Sequence, residues 1–218
     1  MGTAVKIAII GASGRLGGTI AREALARGHE VVAIGRDRAA LAALEGARPV
    51  PADLDDADSV VNAVAGSDVI VSAVTDRTTA DRSRIPATAA LLLELAPRAG
   101  VRRVAFVGGG GSLYIAPGLR ALDAPAFPER FRAEALAQAE ALRILRDAGD
   151  HVEWTYLSPP PHYLLPGEKT GHYLVRAGDD AVVNADGESA ITEGDFAAVL
   201  VDELEQNRYP RRRFTAAS

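Results

Sequence analysis

Apolar positions recur along this chain in two alternating rhythms, short unbroken runs and helically spaced faces. The first run, Val5-Lys6-Ile7-Ala8-Ile9-Ile10, passes straight into Gly11-Ala12-Ser13-Gly14-Arg15-Leu16-Gly17-Gly18. Ile20, Leu25 and the alanines between them then keep helical spacing as far as Arg27-Gly28, where a basic residue and a glycine make a C-terminal stop. Further runs predict a short buried strand at Val31-Val32-Ala33-Ile34, a brief strand edge at Pro49-Val50-Pro51, and strands at Asp68 to Val74, Arg103 to Val107 and Glu153 to Leu157. Helical patterns separate them at Arg38 to Leu44, Ala57 to Val64, Ile85 to Ala99 and Pro128 to Ala148. Strands alternating with helices over short connections imply right-handed crossovers, and hence an α/β, doubly wound parallel sheet of six strands.

The rhythm breaks between Ser158 and Asp186 into proline, glycine and short strand-like pieces such as His172-Tyr173-Leu174-Val175. A long irregular segment in a compact enzyme is more often functional than idle, so residues 158–186 are expected to form a small substrate-side lobe. Phe196 to Leu204 restores a helix, with Thr192 or Glu193-Gly194-Asp195 near its start, and Arg212 to Thr215 is expected to add an edge strand. The 218 residues fit one domain, without internal repeats or a low-complexity linker.

Composition narrows the classes. A hydrophobic share of 48% with only 5% aromatics describes a core of Ala, Val, Leu and Ile, suited to helices packed on a parallel sheet. A net charge of -5 and a pI near 5.4 supply no positive field for nucleic acid. The one dense basic run, Arg211-Arg212-Arg213, reads as solvated charges flanking the last strand. The absence of cysteine excludes disulfides, thiolate catalysis and zinc-thiolate sites, and the histidines are too scattered for metal-ligand spacing. No stretch is long and apolar enough to span a bilayer, and the first strand begins without a signal-peptide layout, so a cytoplasmic location is expected.

The glycine turn is where chemistry enters. Gly11 and Gly14 let the backbone turn tightly and approach phosphates without an intervening Cβ, and Gly17 lets the following helix pack close to the strand. The unpaired amides at the helix start would then face the diphosphate of a dinucleotide. At the tip of the second strand Ile34-Gly35-Arg36-Asp37 bears on which nicotinamide nucleotide is held. Arg36 would pair with a 2'-phosphate and stack on adenine, favouring NADP, whereas Asp37 turned inward would favour NAD. After the third strand, Asp53 could accept from the adenine amino group while Leu54 covers the ring. Alternatively the acidic run Asp53, Asp55, Asp56 and Asp58 only caps and charge-balances the next helix.

With these features in place the chain resembles the atypical short-chain dehydrogenase/reductases. Within them it is similar to the NAD(P)H-binding group of NmrA-like proteins and flavin reductase/biliverdin reductase B, and above all to the branch labelled NADH-flavin reductase. The motifs that carry the resemblance are Gly11 to Gly17, Val107-Gly108-Gly109-Gly110-Gly111-Ser112-Leu113, Trp154 to Pro159 and Pro166-Gly167-Glu168-Lys169-Thr170-Gly171, so it spans nearly the whole chain. It implies a single Rossmann-like NAD(P)-binding domain over residues 1–218. Ser13, Arg15 and Leu16 would then touch the pyrophosphate, and Ala73 and Val74 the inner ribose. Gly108 and Gly109 would line the nicotinamide side, and Ser158, Pro159 and Pro160 its carboxamide edge.

One departure matters. Most short-chain dehydrogenases protonate a carbonyl oxygen with a tyrosine whose pKa is lowered by a lysine four residues on. Here the only lysines are Lys6 and Lys169, and neither stands four residues after Tyr114, Tyr156, Tyr163, Tyr173 or Tyr209. A flavin or quinone spreads the incoming charge over its rings and needs position more than a strong acid, so FMN, FAD or a quinone is favoured as substrate over a ketone or a sugar. Ser112, past the fifth strand, could donate to an acceptor oxygen or be an ordinary loop serine. Tyr114 could stack on a flat acceptor or pack beneath the loop. His162, after Pro159-Pro160-Pro161, could lean toward the substrate or only pack at the surface. Glu134, Gln138 and Glu140 read as the solvated face of a helix. The expectation is an NAD(P)H-dependent reductase of a small-molecule acceptor, with neither nucleic acid nor membrane as partner, as a monomer or homodimer. The same missing pair leaves open a redox-sensing protein that binds the cofactor as a ligand.

Overall fold

In the computed structural model, which describes residues 4–76, 80–161, 163–184 and 187–218, the first apolar run forms β1 (Lys6–Ile10). Its side chains alternate between two buried faces: Ile7 and Ile9 enter one apolar cluster, Ala8 and Ile10 the other. A strand buried on both sides needs a helical layer on each, and the rest of the chain provides them.

The order is β1, α1 (Arg15–Ala26), β2 (Glu30–Gly35), α2 (Arg38–Ala42), β3 (Arg48–Pro51), α3 (Ala57–Val64), β4 (Val69–Ser72), α4 (Arg84–Arg98) and β5 (Arg103–Val107). A small hairpin, β6 (Tyr114–Ala116) and β7 (Leu119–Arg120), precedes α5 (Arg132–Asp147) and β8 (Glu153–Ser158). Then come β9 (Tyr163–Leu165), β10 (Leu174–Ala177), β11 (Ala190–Thr192), α6 (Glu193–Gln206) and β12 (Arg212–Ala217). Helices α1 and α6 cover one face with Ile20, Phe196 and Leu200, while α3, α4 and α5 cover the other with Val60, Leu92 and Leu142.

The main sheet has the order β10-β12-β8-β5-β4-β1-β2-β3. All neighbours are parallel except β10, which pairs antiparallel with β12. The chain leaves β1 toward β2 and β3 on one side and returns to β4 on the other, so the direction of winding reverses between β1 and β4. In open α/β sheets that reversal opens a crevice at the carboxyl ends of the strands.

Several expectations change. The last strand is not an edge strand: β12 lies between β8 and β10, making a seventh parallel strand where six were expected. Arg213, expected to be solvated, is 3% exposed, because strand alternation turns it and Thr215 under the sheet's cover. Gln138, expected on a solvated helix face, is also buried. Helix α5 starts at Arg132 after a short 3-10 turn at Glu129–Phe131, and α2 stops at Ala42. The irregular stretch after Ser158 contributes β10 to the main sheet and β9 to a two-stranded parallel pair with β11.

Candidate functional site

Six parallel strands, β1 to β5 and β8, end on the same edge of the sheet, and every sequence motif singled out for binding follows one of them. The turn after β1 is wedged between its neighbours. Gly11 has φ +85, a conformation that penalises any side chain, and a Cβ there would lie 2.7 Å from the Ala73 carbonyl oxygen beyond β4. On the other side the Gly11 N–H donates to the Ile34 carbonyl at 2.9 Å. Gly14 is the extended N-cap of α1 and closes the turn by donating to the Gly11 carbonyl at 3.0 Å. A Cβ on Gly17 would overlap that same carbonyl, so only glycine lets α1 start this close to β1. No side chain caps α1, and its first turn carries no acidic residue, which leaves its amides to an anion from outside the chain.

Beyond β2, Asp37 does not turn inward. Its carboxylate accepts from the Ala39 and Ala40 amides at 2.9 and 3.2 Å and caps α2. Arg36 beside it is exposed. A Cβ on Gly35 would stand 3.5 Å from Ser13 Oγ, so the Ser13 hydroxyl adjoins the strand end that carries Arg36. The acidic run after β3 is divided in its tasks. Asp56 caps α3, Asp55 pairs with Arg84 at 2.9 Å, and Asp58 pairs with Arg98 at 3.0 Å. Asp53 accepts from the Asp55 amide at 3.1 Å and remains exposed, while Leu54 packs against the core.

The far side of the edge is built on glycines packed from three directions. A Cβ on Gly108 would overlap the Tyr156 ring, one on Gly109 would lie 2.8 Å from Gln138 Cβ, and one on Gly110 2.5 Å from the Pro159 carbonyl oxygen. Tyr156, on β8, is fully buried; its hydroxyl accepts from the Gly109 amide at 3.0 Å and donates to Gln138 of α5. Burial pushes its pKa up to about 12, so it stays neutral, and its hydrogen bonds brace the Gly109 loop against α5.

Under this loop lies Arg213. Its Nε donates to Ser158 Oγ at 2.8 Å, Nη1 to the Ser112 carbonyl at 3.1 Å and Nη2 to the Gly109 carbonyl at 3.3 Å. Burial lowers its pKa from the ordinary arginine value against the opposing pull of Tyr156 and Asp179, and a guanidinium keeps its charge there. Ser158 is wholly buried, its hydroxyl held by Arg213 and its carbonyl by Thr215. Ser112 Oγ is buried with no hydrogen-bond partner among the described residues. Tyr114, on β6, exposes 38% of its surface beside this loop rather than packing beneath it. His162 lies outside the described residues.

The start of α6 closes the site from the side. Glu193 forms an ion pair with Arg15 of the glycine turn. Thr192 caps the helix through the Asp195 amide at 3.0 Å, and the buried Asp195 carboxylate accepts from the Thr170 and Gly171 amides at 2.8 and 2.9 Å and from the Thr170 hydroxyl at 2.7 Å. Desolvation raises the Asp195 pKa, but these bonds outweigh it and leave the group below the usual aspartate value. Lys169 continues across to Glu23 of α1 at 2.8 Å, so the Pro166 to Gly171 motif straps α6 to α1. Sequence reasoning missed Arg213, Gln138 and Glu193 as parts of this edge. The alternation of Arg213 and Thr215 was a usable signal for the first; the other two have none in the local pattern.

Comparison with known proteins agrees with this layout. Residues 11–207 match the family model described as NAD(P)H-binding. Three solved structures similar to this chain carry provisional descriptions, each worded as putative. An exported protein from Burkholderia pseudomallei is 39% identical, with a TM-score of 0.88 and coverage of 98% of this chain and 100% of that one. An NADH-flavin reductase from Streptococcus pneumoniae is 35% identical, with a TM-score of 0.82 and coverage of 99% and 100%. An epimerase from Bacteroides thetaiotaomicron is 34% identical, with a TM-score of 0.87 and coverage of 99% and 97%.

Proposed function

Because the chain belongs to the NAD(P)H-binding family, with a Rossmann-like fold, we propose that it is an NADPH-dependent reductase of a small conjugated acceptor such as a flavin or a quinone. In this reading the dihydronicotinamide supplies a hydride, two electrons with one proton, and the acceptor takes a second proton from water.

Gly11, Ser13, Gly14, Arg15, Leu16 and Gly17 hold the diphosphate, with the amides at the start of α1 as donors. Arg36 and the Ser13 hydroxyl receive the 2'-phosphate, the choice for NADP supported by the engagement of Asp37 as the cap of α2. Asp53 and Leu54 take the adenine, Ala73 and Val74 the inner ribose. Gly108, Gly109 and Pro159 face the nicotinamide, backed by Ser158, which is wholly buried with its hydroxyl and carbonyl both engaged. The Ser112 hydroxyl and the Tyr114 ring orient the acceptor.

The observation that carries the reading is the absence of a lysine from the carboxyl edge. Lys6 begins β1 at the opposite edge, and Lys169 is paired with Glu23. Tyr156, whose hydroxyl bonds the Gly109 amide, is buried and fully bonded, and the exposed Tyr114 has no lysine four residues on. Among the described residues no tyrosine with a matched lysine stands at this edge, which favours an acceptor that delocalises its charge over a ketone or a sugar. We assign the reaction to the cytoplasm, where the reduced nucleotide is regenerated. Steady-state oxidation of NADPH with FMN, riboflavin or a quinone tests the proposal, with saturable turnover expected. Tight NADPH binding without turnover on any of these acceptors overturns it in favour of a redox-sensing binder.

A further inference from the structure

The proposed function leaves one costly feature unused, a buried cation beneath the acceptor loop. The Arg213 side chain is 1% exposed, and its carboxylate partner, Asp179, stands 3.4 Å away, 35% exposed and shared with Arg146 at 2.5 Å. Burying a charge with half a counter-ion is unfavourable, and an apolar side chain of similar volume commonly serves stability as well or better. The donors instead reach three points of the candidate site: the Gly109 carbonyl, the Ser112 carbonyl and the Ser158 hydroxyl. A planar guanidinium can hold acceptors in several fixed directions at once, which an ammonium cannot. At Ser112 the consequence is specific. Its carbonyl is tied to Arg213 while its buried hydroxyl is unpartnered, a combination that holds the residue in place and leaves the hydroxyl for a ligand oxygen.

We propose that Arg213 is a positioning residue of the acceptor site, fixing the Gly109 to Ser112 loop so that the Ser112 hydroxyl meets the acceptor oxygen, and that its charge selects conjugated acceptors that become anionic on reduction. This rests on the reductase reading. Charge developing on the acceptor beside a buried cation is stabilised far more than in water, and the protein does not have to reorganise to supply that stabilisation. Arg213 therefore acts through Ser112 and the loop rather than by touching the diphosphate at the turn after β1, since β8, β5 and β4 separate that strand from β12.

The test is a double-mutant cycle of Arg213→Met and Ser112→Ala, with Arg213→Lys alongside. Titration calorimetry with NADPH is expected to show affinity falling far less than turnover in every variant, because the nucleotide's phosphates are held elsewhere. Turnover of riboflavin is expected to fall about 10²-fold in Arg213→Met, the size of effect that a small misplacement of reacting groups produces. Ser112→Ala is expected to add little once Arg213 is gone, since residues acting as one unit are non-additive. Arg213→Lys should recover part of the loss through its charge. Wild-type turnover in Arg213→Met, additive effects in the cycle, or NADPH affinity lost in parallel with turnover each overturns the proposal. Should Arg213→Met not fold, Arg213→Gln, which likewise removes the charge, replaces it in the same cycle and is read by the same criteria. If wild type itself turns over no acceptor, the reductase reading fails first; turnover in wild type with indifferent variants removes only the role of Arg213.

Discussion

Gly17→Ala adds one methyl group where α1 presses on the turn before it. The new Cβ would overlap the Gly11 carbonyl oxygen and sit 2.8 Å from the Gly11 carbonyl carbon and 3.0 Å from Ala12 Cα. All three are backbone atoms, held by the bond from Gly11 to Ile34 and by the close approach to Ala73, so the turn cannot give way. The start of α1 must move instead, by on the order of 1 Å, at an overpacking cost of about 1–3 kcal/mol in stability. A shift of that size breaks at least one hydrogen bond from a backbone N–H to a bound phosphate, worth about 1.5–3 kcal/mol when the partner is charged. NADPH should therefore bind about 10- to 100-fold more weakly. Gly28→Ala is the matched control. Its φ of +83 makes any side chain strained, nothing lies within 4 Å of its Cβ, and it sits at the far end of α1. It should cost about 1–2 kcal/mol of stability through backbone strain and leave NADPH affinity unchanged. Calorimetric titration and thermal melts on the three proteins compare the two effects. A folded Gly17→Ala protein that binds NADPH like wild type, or an equal loss in Gly28→Ala, would refute the assignment of the diphosphate to this turn.

Arg36→Ala should weaken NADPH by about tenfold or more, the worth of a charge-assisted phosphate contact, while NADH affinity holds; equal loss of both removes the 2'-phosphate contact. Glu193→Gln frees Arg15 and removes a negative charge beside the phosphates. The pair is largely exposed on the arginine side, so the gain should be no more than about fivefold in NADPH affinity, shrinking with added salt, and weaker binding would contradict it. Tyr156→Phe strands the Gly109 amide and should cost about 1–3 kcal/mol in urea denaturation, with an unchanged pH profile of turnover; a lost alkaline limb would reveal a proton-donating role instead. The Asp195 carboxylate is held below its reference value of 3.8, so its contribution to stability is complete above that pH and is lost as the pH falls through the lower folded value. The stability gap between wild type and Asp195→Asn should accordingly be constant near neutrality and close in acid, and a gap that widens there would invert the sign.

Local sequence was enough wherever a segment's environment follows from its own periodicity. The run from Lys6 to Ile10, apolar at nearly every position, already required cover on both faces, and Gly11, Gly14 and Gly17 marked a tight turn that needs glycine at Gly11 and Gly17. Helix α3 and strand β5 have the bounds their patterns predict, and Thr192 caps α6 as its position suggested. Alternation cannot say which strand lies at an edge, because pairing is decided by other segments of the chain. Arg212 to Thr215 therefore read as a solvated border until β10 folded back antiparallel and enclosed it. Side-chain roles were hidden in the same way: only the start of α2 shows that the Asp37 carboxylate caps that helix. The bonds from Arg213 to Ser158, Ser112 and Gly109 span 55, 101 and 104 positions, beyond the reach of any local pattern, and the tertiary structure alone brings them together.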